Sequence, residues 1–292
     1  MREVKVVADT SCELRPESAA ELGVEIVPFK ITLDGVNYIR DIDITIEEFY
    51  KRIAEKGVTP KTSLPSPGDY FEVFERIVKE GKDIICLCLS SGFSGSYQSA
   101  VTASEEIAEK YPEAKIYVID TKSVTWVMWS MVFDTVELLK QGKDAAKIAE
   151  ALKTIHKGII GTLTVDSLEH LIRGGRVSRA AGIVGNVLDV KPVLQLVDGS
   201  LVPRHKIRGR KKTIARMVEY LTEGLKDKNL DDYRFFAMYC GMKEYGQDIQ
   251  RLMSEKLGIP ESEIGLGVVG TVLGCHGGPT VSIAGCIPKL KV

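Results

Sequence analysis

Between Ser90 and Ser96 the chain reads Ser-Ser-Gly-Phe-Ser-Gly-Ser, a concentration of hydroxyls and small residues suited to holding an anion. Ser90, Ser91, Ser94 and Ser96 supply hydroxyl groups, and Gly92 and Gly95 allow close approach to the backbone. Before this stretch runs the apolar segment Ile84 to Leu89, of β type. After it Tyr97, Ala100, Val101, Ile107, Ala108 and Tyr111 recur at near-helical spacing. A strand–(Ser/Gly)–helix junction gathers N–H groups, hydroxyls and the positive end of a helix dipole in one place. The same residues would also serve a loop that only caps its own helix.

Other residues offer chemistry at turns and element ends. Thr62-Ser63 precedes Leu-Pro-Ser-Pro, in extended pre-proline conformation. His276 lies in Gly-Cys-His-Gly-Gly-Pro after an apolar strand, which predicts an imidazole on a turn and not inside a helix. Arg173-Gly174-Gly175-Arg176 closes a short helix. Its arginines either complement the helix end or present planar donors to an anion. A serine hydrolase would pair Ser94 as nucleophile with His276 as base, oriented by Asp9, Asp120 or Asp166. Gly92-Phe93-Ser94-Gly95-Ser96, however, lacks the last glycine of a nucleophile elbow. Phosphate-loop and dinucleotide fingerprints are absent from the sequence.

The elements that position these residues alternate in the first half. A strand spans Val4 to Ala8, a helix Pro16 to Leu22 and a hairpin Val24 to Tyr38 turning at Asp34-Gly35. Helices start at Thr45, with Glu48 completing a capping box, and at Ser66-Pro67. Strand Ile116 to Ile119 precedes a long helix from about Ser123 to Lys140 that stops near Gly142. This is the grammar of an open, mostly parallel α/β sheet flanked by helices. After about Ile155 it changes. Strand Gly158 to Val165, a helix capped by Asp166, and a hairpin from Val193 to Ile207 turning at Asp198-Gly199 come first. Helix Lys212 to Lys226, strand Arg234 to Cys240, helix Tyr245 to Leu257 and two late strands flanking Gly277-Gly278 complete a layered α+β domain. The expected division is therefore an N-terminal α/β domain, residues 1–157, and a C-terminal α+β domain, residues 158–292.

Composition bounds the partners. The 292 residues are 44% hydrophobic with a net charge of -1, an ordinary globular balance with no global field for nucleic acid or an anionic membrane. The one basic cluster, Arg204 to Lys212, reads as a solvated loop or helix entrance. The most apolar stretch, Val124 to Phe133, is far shorter than the roughly 20 residues of a membrane span. No secretory signal is visible and the cytoplasm is the expected compartment. The cysteines are scattered, without metal-ligand spacing, and Cys86 and Cys88 share one strand face as small core residues.

Taken in order, these pieces resemble the DegV family of bacterial fatty-acid-binding proteins. The resemblance is carried by Ala8-Asp9-Thr10-Ser11, Thr62 to Pro67, Ser90 to Ala100, Asp120 to Ser123, Leu171 to Arg176, Lys191-Pro192 and His276 to Pro279. It implies a two-domain α/β carrier, not an enzyme, that buries one long-chain fatty acid between its domains and has no other cofactor. It maps a hydroxyl network for the lipid carboxylate onto Thr62, Ser63 and Ser94 with the Gly95 N–H, and sets His276 with Arg173 or Arg176 at the mouth. It further implies a partner kinase subunit that phosphorylates the presented carboxylate for phospholipid synthesis, and a monomer or weak oligomer. Two features depart from the family pattern. Trp126, Met128 and Trp129 stand where small residues are usual, and either pack a core helix or reshape the lipid tunnel; Thr280 stands where glycine is common.

Overall fold

The computed structural model describes residues 2–39, 42–56, 59–177 and 190–292. The chain opens with β1 (Val4–Asp9), α1 (Pro16–Leu22), β2 (Glu25–Val27), β3 (Lys30–Leu33), β4 (Val36–Tyr38) and α2 (Ile46–Lys56). It continues with β5 (Lys61–Ser63), α3 (Pro67–Lys79), β6 (Asp83–Cys88), α4 (Ser96–Lys110), β7 (Ile116–Asp120), α5 (Thr125–Lys140) and α6 (Ala145–Ile155). Then come β8 (Ile160–Thr164), α7 (Glu169–Arg173), β9 (Val190–Val197), β10 (Ser200–Arg208), α8 (Arg210–Gly224) and β11 (Tyr233–Tyr239). The last elements are α9 (Lys243–Leu257), β12 (Ile264–Val268), α10 (Thr271–Gly277) and β13 (Ser282–Pro288).

Two compact units emerge. The first comprises Met1–Ile44, Thr62–Lys157 and Leu290–Val292, the second Thr45–Lys61 and Gly158–Lys289. A single cut at residue 157 thus misses two exchanges: Leu290–Val292 group with the first unit, and the stretch carrying α2 folds with the second. The reason is local. Tyr50 on α2 donates its phenolic O–H to the Val269 carbonyl at 2.8 Å and lies 2.9 Å from Cys240 Sγ. Gly274 on α10 makes room for this helix, since a Cβ there would sit 2.5 Å from the Tyr50 hydroxyl.

The first unit is built on a parallel sheet in the order β2-β1-β6-β7. Every residue of β6, Asp83 to Cys88, is buried, as expected of a central parallel strand covered on both faces. Val7, Ile84, Cys86 and Cys88 pack against Tyr70, Phe74 and Ile77 of α3 and Ala100, Ala103 and Ile107 of α4. Val6, Ala8, Ile85 and Leu87 alternate to the other face and are equally buried, and α5 and α6 pack against β1 and β7. Cys86 and Cys88 fill the small positions expected of them, 3.7 Å apart.

The predicted hairpin from Val24 is shorter than expected. Its first part pairs in parallel with β1 as β2, and only β3 and β4 turn back on each other. Asp34 and Gly35 have φ of 51° and 80°, the positive pair that a two-residue hairpin connection demands. β5 joins them in a small sheet of order β4-β3-β5.

The second unit carries a mixed sheet of order β10-β9-β8-β13-β11-β12. Its core gathers Ile214, Met217 and Leu221 of α8, Ile249 and Met253 of α9, and Val193, Phe235, Ala237, Ala284 and Cys286 from the strands. The basic run forms not a loop but the edge strand β10 and the start of α8, where charged side chains discourage further strand pairing. Asp166 does not cap a helix. It pairs with Lys191, its own N–H donates to Thr280 Oγ1 at 3.0 Å, and Ser167 Oγ takes the Glu169 N–H at 3.2 Å.

Among the described residues no helix is long and apolar enough to cross a membrane. On α5, Met128 is buried, whereas Trp126, Trp129 and Phe133 are half-buried and stack along one stripe, with centroids 6.3 and 5.3 Å apart.

Helix α3 starts at a capping box. Ser66 Oγ accepts the Asp69 N–H at 3.1 Å, and Asp69 Oδ2 accepts the Ser66 N–H at 2.7 Å. Ser66→Ala is expected to lower unfolding stability by about 1 kcal/mol, read as a shift of the urea midpoint at unchanged slope. An unshifted midpoint would mean that this cap contributes nothing.

Candidate functional site

The parallel sheet reverses its winding between β1 and β6: β2 lies to one side of that pair and β7 to the other. Ligands of open α/β sheets settle at the carboxyl ends of strands at such a point. Here β1 ends in Asp9, and β6 runs into the Ser/Gly loop that opens α4.

The serines of this loop divide by task. Ser90 is fully buried; its N–H donates to the Ser123 carbonyl at 3.0 Å and its Oγ accepts from Gly92 at 3.1 Å. Ser91 is exposed and faces β7, its N–H on Asp120 Oδ1 at 3.1 Å and its Oγ under Lys122 Nζ at 3.0 Å. Ser96 is fully buried and donates to Asp9 Oδ2 at 3.0 Å, while Tyr70 O–H fixes it from behind at 2.8 Å. Ser94 is half-buried. Its Oγ accepts the Ser96 N–H at 3.2 Å, so it does help to cap α4, yet among the described residues its own O–H proton goes to no partner. Gly95 is exposed, and among the described residues its N–H has no acceptor. Two adjacent neutral donors, Ser94 O–H and Gly95 N–H, thus remain open at the switch point.

Thr62 is half-buried and Ser63 exposed, at the end of β5. The next residue, Leu64, reaches the loop: a Cβ placed on Gly95 would lie 3.6 Å from Leu64 Cδ2. Leu64 itself is 42% exposed, an apolar side chain left at the loop's edge.

Asp9 is the residue whose weight the sequence reading missed. Burial raises its carboxyl above the usual range, although hydrogen bonds from Ser11, Leu89 and Ser96 pull the other way. Asp120 shows the opposite balance. Half-burial works against its charge, but the bonds from Ser91 and Lys122 hold it below the usual range. Each aspartate that could orient the histidine of a hydrolase triad accepts bonds from other groups. Asp9 is taken by Ser11, Leu89 and Ser96, Asp120 by Ser91 and Lys122, and Asp166 by Lys191.

In the second unit His276 sits in the last turn of α10 and not on a loop, because the apolar Thr-Val-Leu-Gly-Cys run before it coils into a helix. It is paired with a residue the sequence reading passed over, His170 on α7. The two helices interlock through rings and glycines. A Cβ on Gly174 would lie 2.5 Å from His276 Nδ1, and one on Gly278 would lie 2.7 Å from His170 Cδ2. Burial, with help from Arg176, pushes His276 down to about 4; burial and then Arg173 lower His170 as well. Arg176 Nη1 donates to the Gly174 carbonyl, fixing the end of α7. Arg173 is drawn to Glu169 on its own helix and donates to Thr59 Oγ1 at 2.7 Å. The Gly-Gly and His-Gly-Gly motifs were visible in the sequence, but their mutual fit needs three dimensions.

The family model described as "uncharacterised protein, DegV family" matches residues 3–287. The chain belongs to the DegV family. A DegV domain-containing protein of Caldanaerobacter subterraneus is 32% identical over 284 residues, 96% of each chain. Among solved structures, a stearic-acid-binding protein from Eubacterium ventriosum is 31% identical, with TM-score 0.88 over 98% of this chain and 99% of its own. A fatty-acid-binding DegV protein from Thermus thermophilus is 27% identical, with TM-score 0.85 over 99% and 100%.

The interlock of this DegV chain has two measurable consequences. Gly278→Ala is expected to cost more stability than Gly174→Ala, because Gly278 has φ of +77° as well as a ring against it. Each change should cost about 1–3 kcal/mol by chemical denaturation, and the reverse order would refute the packing. His276 is held neutral in the fold, so the unfolded chain alone takes up its proton as pH falls below about 6.5. Stability should therefore drop between about pH 6.5 and 4, and His276→Gln should remove part of that drop. Identical pH profiles for the two proteins would contradict the buried neutral imidazole.

Proposed function

We propose that this DegV protein binds a long-chain fatty acid and presents its carboxylate to a partner kinase, acting as a carrier with no catalysis of its own. The observation that carries the reading is the pair of open neutral donors, Ser94 O–H and Gly95 N–H, at the switch point of the parallel sheet. The fatty-acid-binding relatives, similar over nearly their whole lengths, support the ligand class.

The energetics fit this ligand. Burial of hydrocarbon contributes about 0.8 kcal/mol per methylene, so a sixteen-carbon tail supplies roughly 10 kcal/mol gross, much of it offset by association and ordering. The head group needs donors, because desolvating a polar group without a hydrogen bond costs roughly 2–7 kcal/mol. In this reading Thr62, Ser63, Ser94 and Gly95 supply those donors and His276 adds a neutral hydrogen-bonding ring. Neutral donors leave the carboxylate oxygen nucleophilic, where a bidentate arginine would occupy it. Arg173 and Arg176 then serve the presentation step, meeting the charge of an incoming phosphoryl group. The acyl phosphate would feed phospholipid synthesis in the cytoplasm.

Purified protein extracted with organic solvent is expected to yield stoichiometric fatty acid by mass spectrometry. Delipidated protein should melt higher when a twelve- to eighteen-carbon acid is restored, with Ser94→Ala weakening affinity about tenfold and Thr62→Ala less. Absence of lipid together with absence of any melting shift would overturn the reading. For presentation, Arg176→Ala should keep lipid affinity and His276→Ala most of it, while both slow acyl phosphate formation with the kinase. Equal loss of both would place these residues in the binding floor instead.

A further inference from the structure

Asp9 does more than end a strand. Its Oδ2 accepts the Leu89 N–H at 2.8 Å and the Ser96 O–H at 3.0 Å. Leu89 is the residue immediately before the Ser/Gly loop, and Ser96 the residue immediately after it. One carboxylate oxygen therefore pins both feet of the 90–95 loop. The other oxygen accepts the Ser11 N–H at 3.1 Å and the Ser11 O–H. That ties the staple to the turn following β1.

The chain of bonds runs on to the open donors. Tyr70 donates to Ser96, which leaves the Ser96 proton for Asp9. The Ser96 N–H in turn donates to Ser94 Oγ, which turns the Ser94 proton away from the helix. Asp9, Ser96 and Ser94 form one line from the sheet to the site. Among the described residues no cation bonds to Asp9; all its donors are neutral. A fully buried carboxylate without a counter-cation is a costly way to pack a strand end. Aspartate is nonetheless well suited here. An ionised carboxylate accepts on both oxygens, whereas an asparagine amide must turn N–H groups toward one pair of donors.

We propose that Asp9 is the positioning residue of the carboxylate clamp, aiming Ser94 O–H and Gly95 N–H by holding both ends of their loop. The proposal rests on the fatty-acid reading above and adds to it the group that sets head-group recognition. Asp9 touches no ligand in this role; it acts through Ser96.

The test separates head group from tail. Wild type, Asp9→Asn and Ser96→Ala are titrated with palmitic acid and with 1-hexadecanol, which has the same tail and no carboxylate. Asp9→Asn is expected to lose about tenfold in affinity for the acid, the scale of a lost hydrogen bond to a charged group, while alcohol affinity stays within about twofold. Ser96→Ala should show the same selective loss to a smaller degree. A general loosening of the fold would weaken both probes by one factor, and that result overturns the proposal, as does unchanged acid affinity. Should Asp9→Asn fail to fold, Ser96→Ala decides by the same comparison. A wild type that binds neither probe refutes the fatty-acid reading itself. That outcome is distinct from wild-type binding with no acid-selective loss in the variants, which refutes only the role of Asp9.

Discussion

The carboxylate of Asp9 sits where β1 ends, and the first unit is organised around what it accepts. Parallel strands bring their carboxyl ends to one side, but nothing in strand pairing fixes the loops that leave them. Two backbone N–H groups and two hydroxyls converge on this one group. Their convergence defines how β6 passes into α4. The sheet's double-sided burial supports that definition: Val7, Ala8 and Ile84 to Cys88 are buried, and Val7, Ile84, Cys86 and Cys88 pack with the α3 and α4 side chains.

The two kinds of polar grouping in the molecule differ in character. Around the Ser/Gly loop the groups are hydroxyls and amides, short side chains with few rotamers to lose and strong preference for loop and cap geometry. Around α7 and α10 they are imidazoles and guanidiniums, larger groups whose placement depends on missing side chains opposite them. Gly174 and Gly278 are sockets for His276 and His170. The first grouping is suited to binding a head group quietly. The second combines neutral rings with permanent cations, which suits an encounter with a more highly charged species.

Local pattern made much of this legible. The loop, its flanking strand and helix, the caps at Thr45 and Ser66 and both aspartate–glycine turns follow from residue types at short range. Long-range choices were less accessible. Val24 to Val27 has the composition of a hairpin arm, yet it finds a better partner in β1. His276 looked like a turn residue because glycines surround it; packing against α2 and α7 makes helix the lower-energy choice for Thr271 to Gly277. Asp9 is one aspartate among many in the sequence, and its importance lies in four donors, two of them some eighty residues away.

Helix α2 carries a temporal cost. It leaves the ribosome early, but the carbonyl that Tyr50 bonds belongs to Val269, 219 residues later. At synthesis rates of about 5–20 residues per second, that separation is roughly 10 to 40 seconds. Throughout that interval Phe49 and Tyr50, both buried in the finished protein, lack the Val269 and Gly274 neighbourhood they pack into. The nascent chain must therefore tolerate an aromatic helix in waiting, interposed between two stretches of the other unit. Glu47, Glu48, Lys51 and Arg52 flank the two aromatics on α2 with charge, the kind of gatekeeping that disfavours aggregation of an exposed apolar segment.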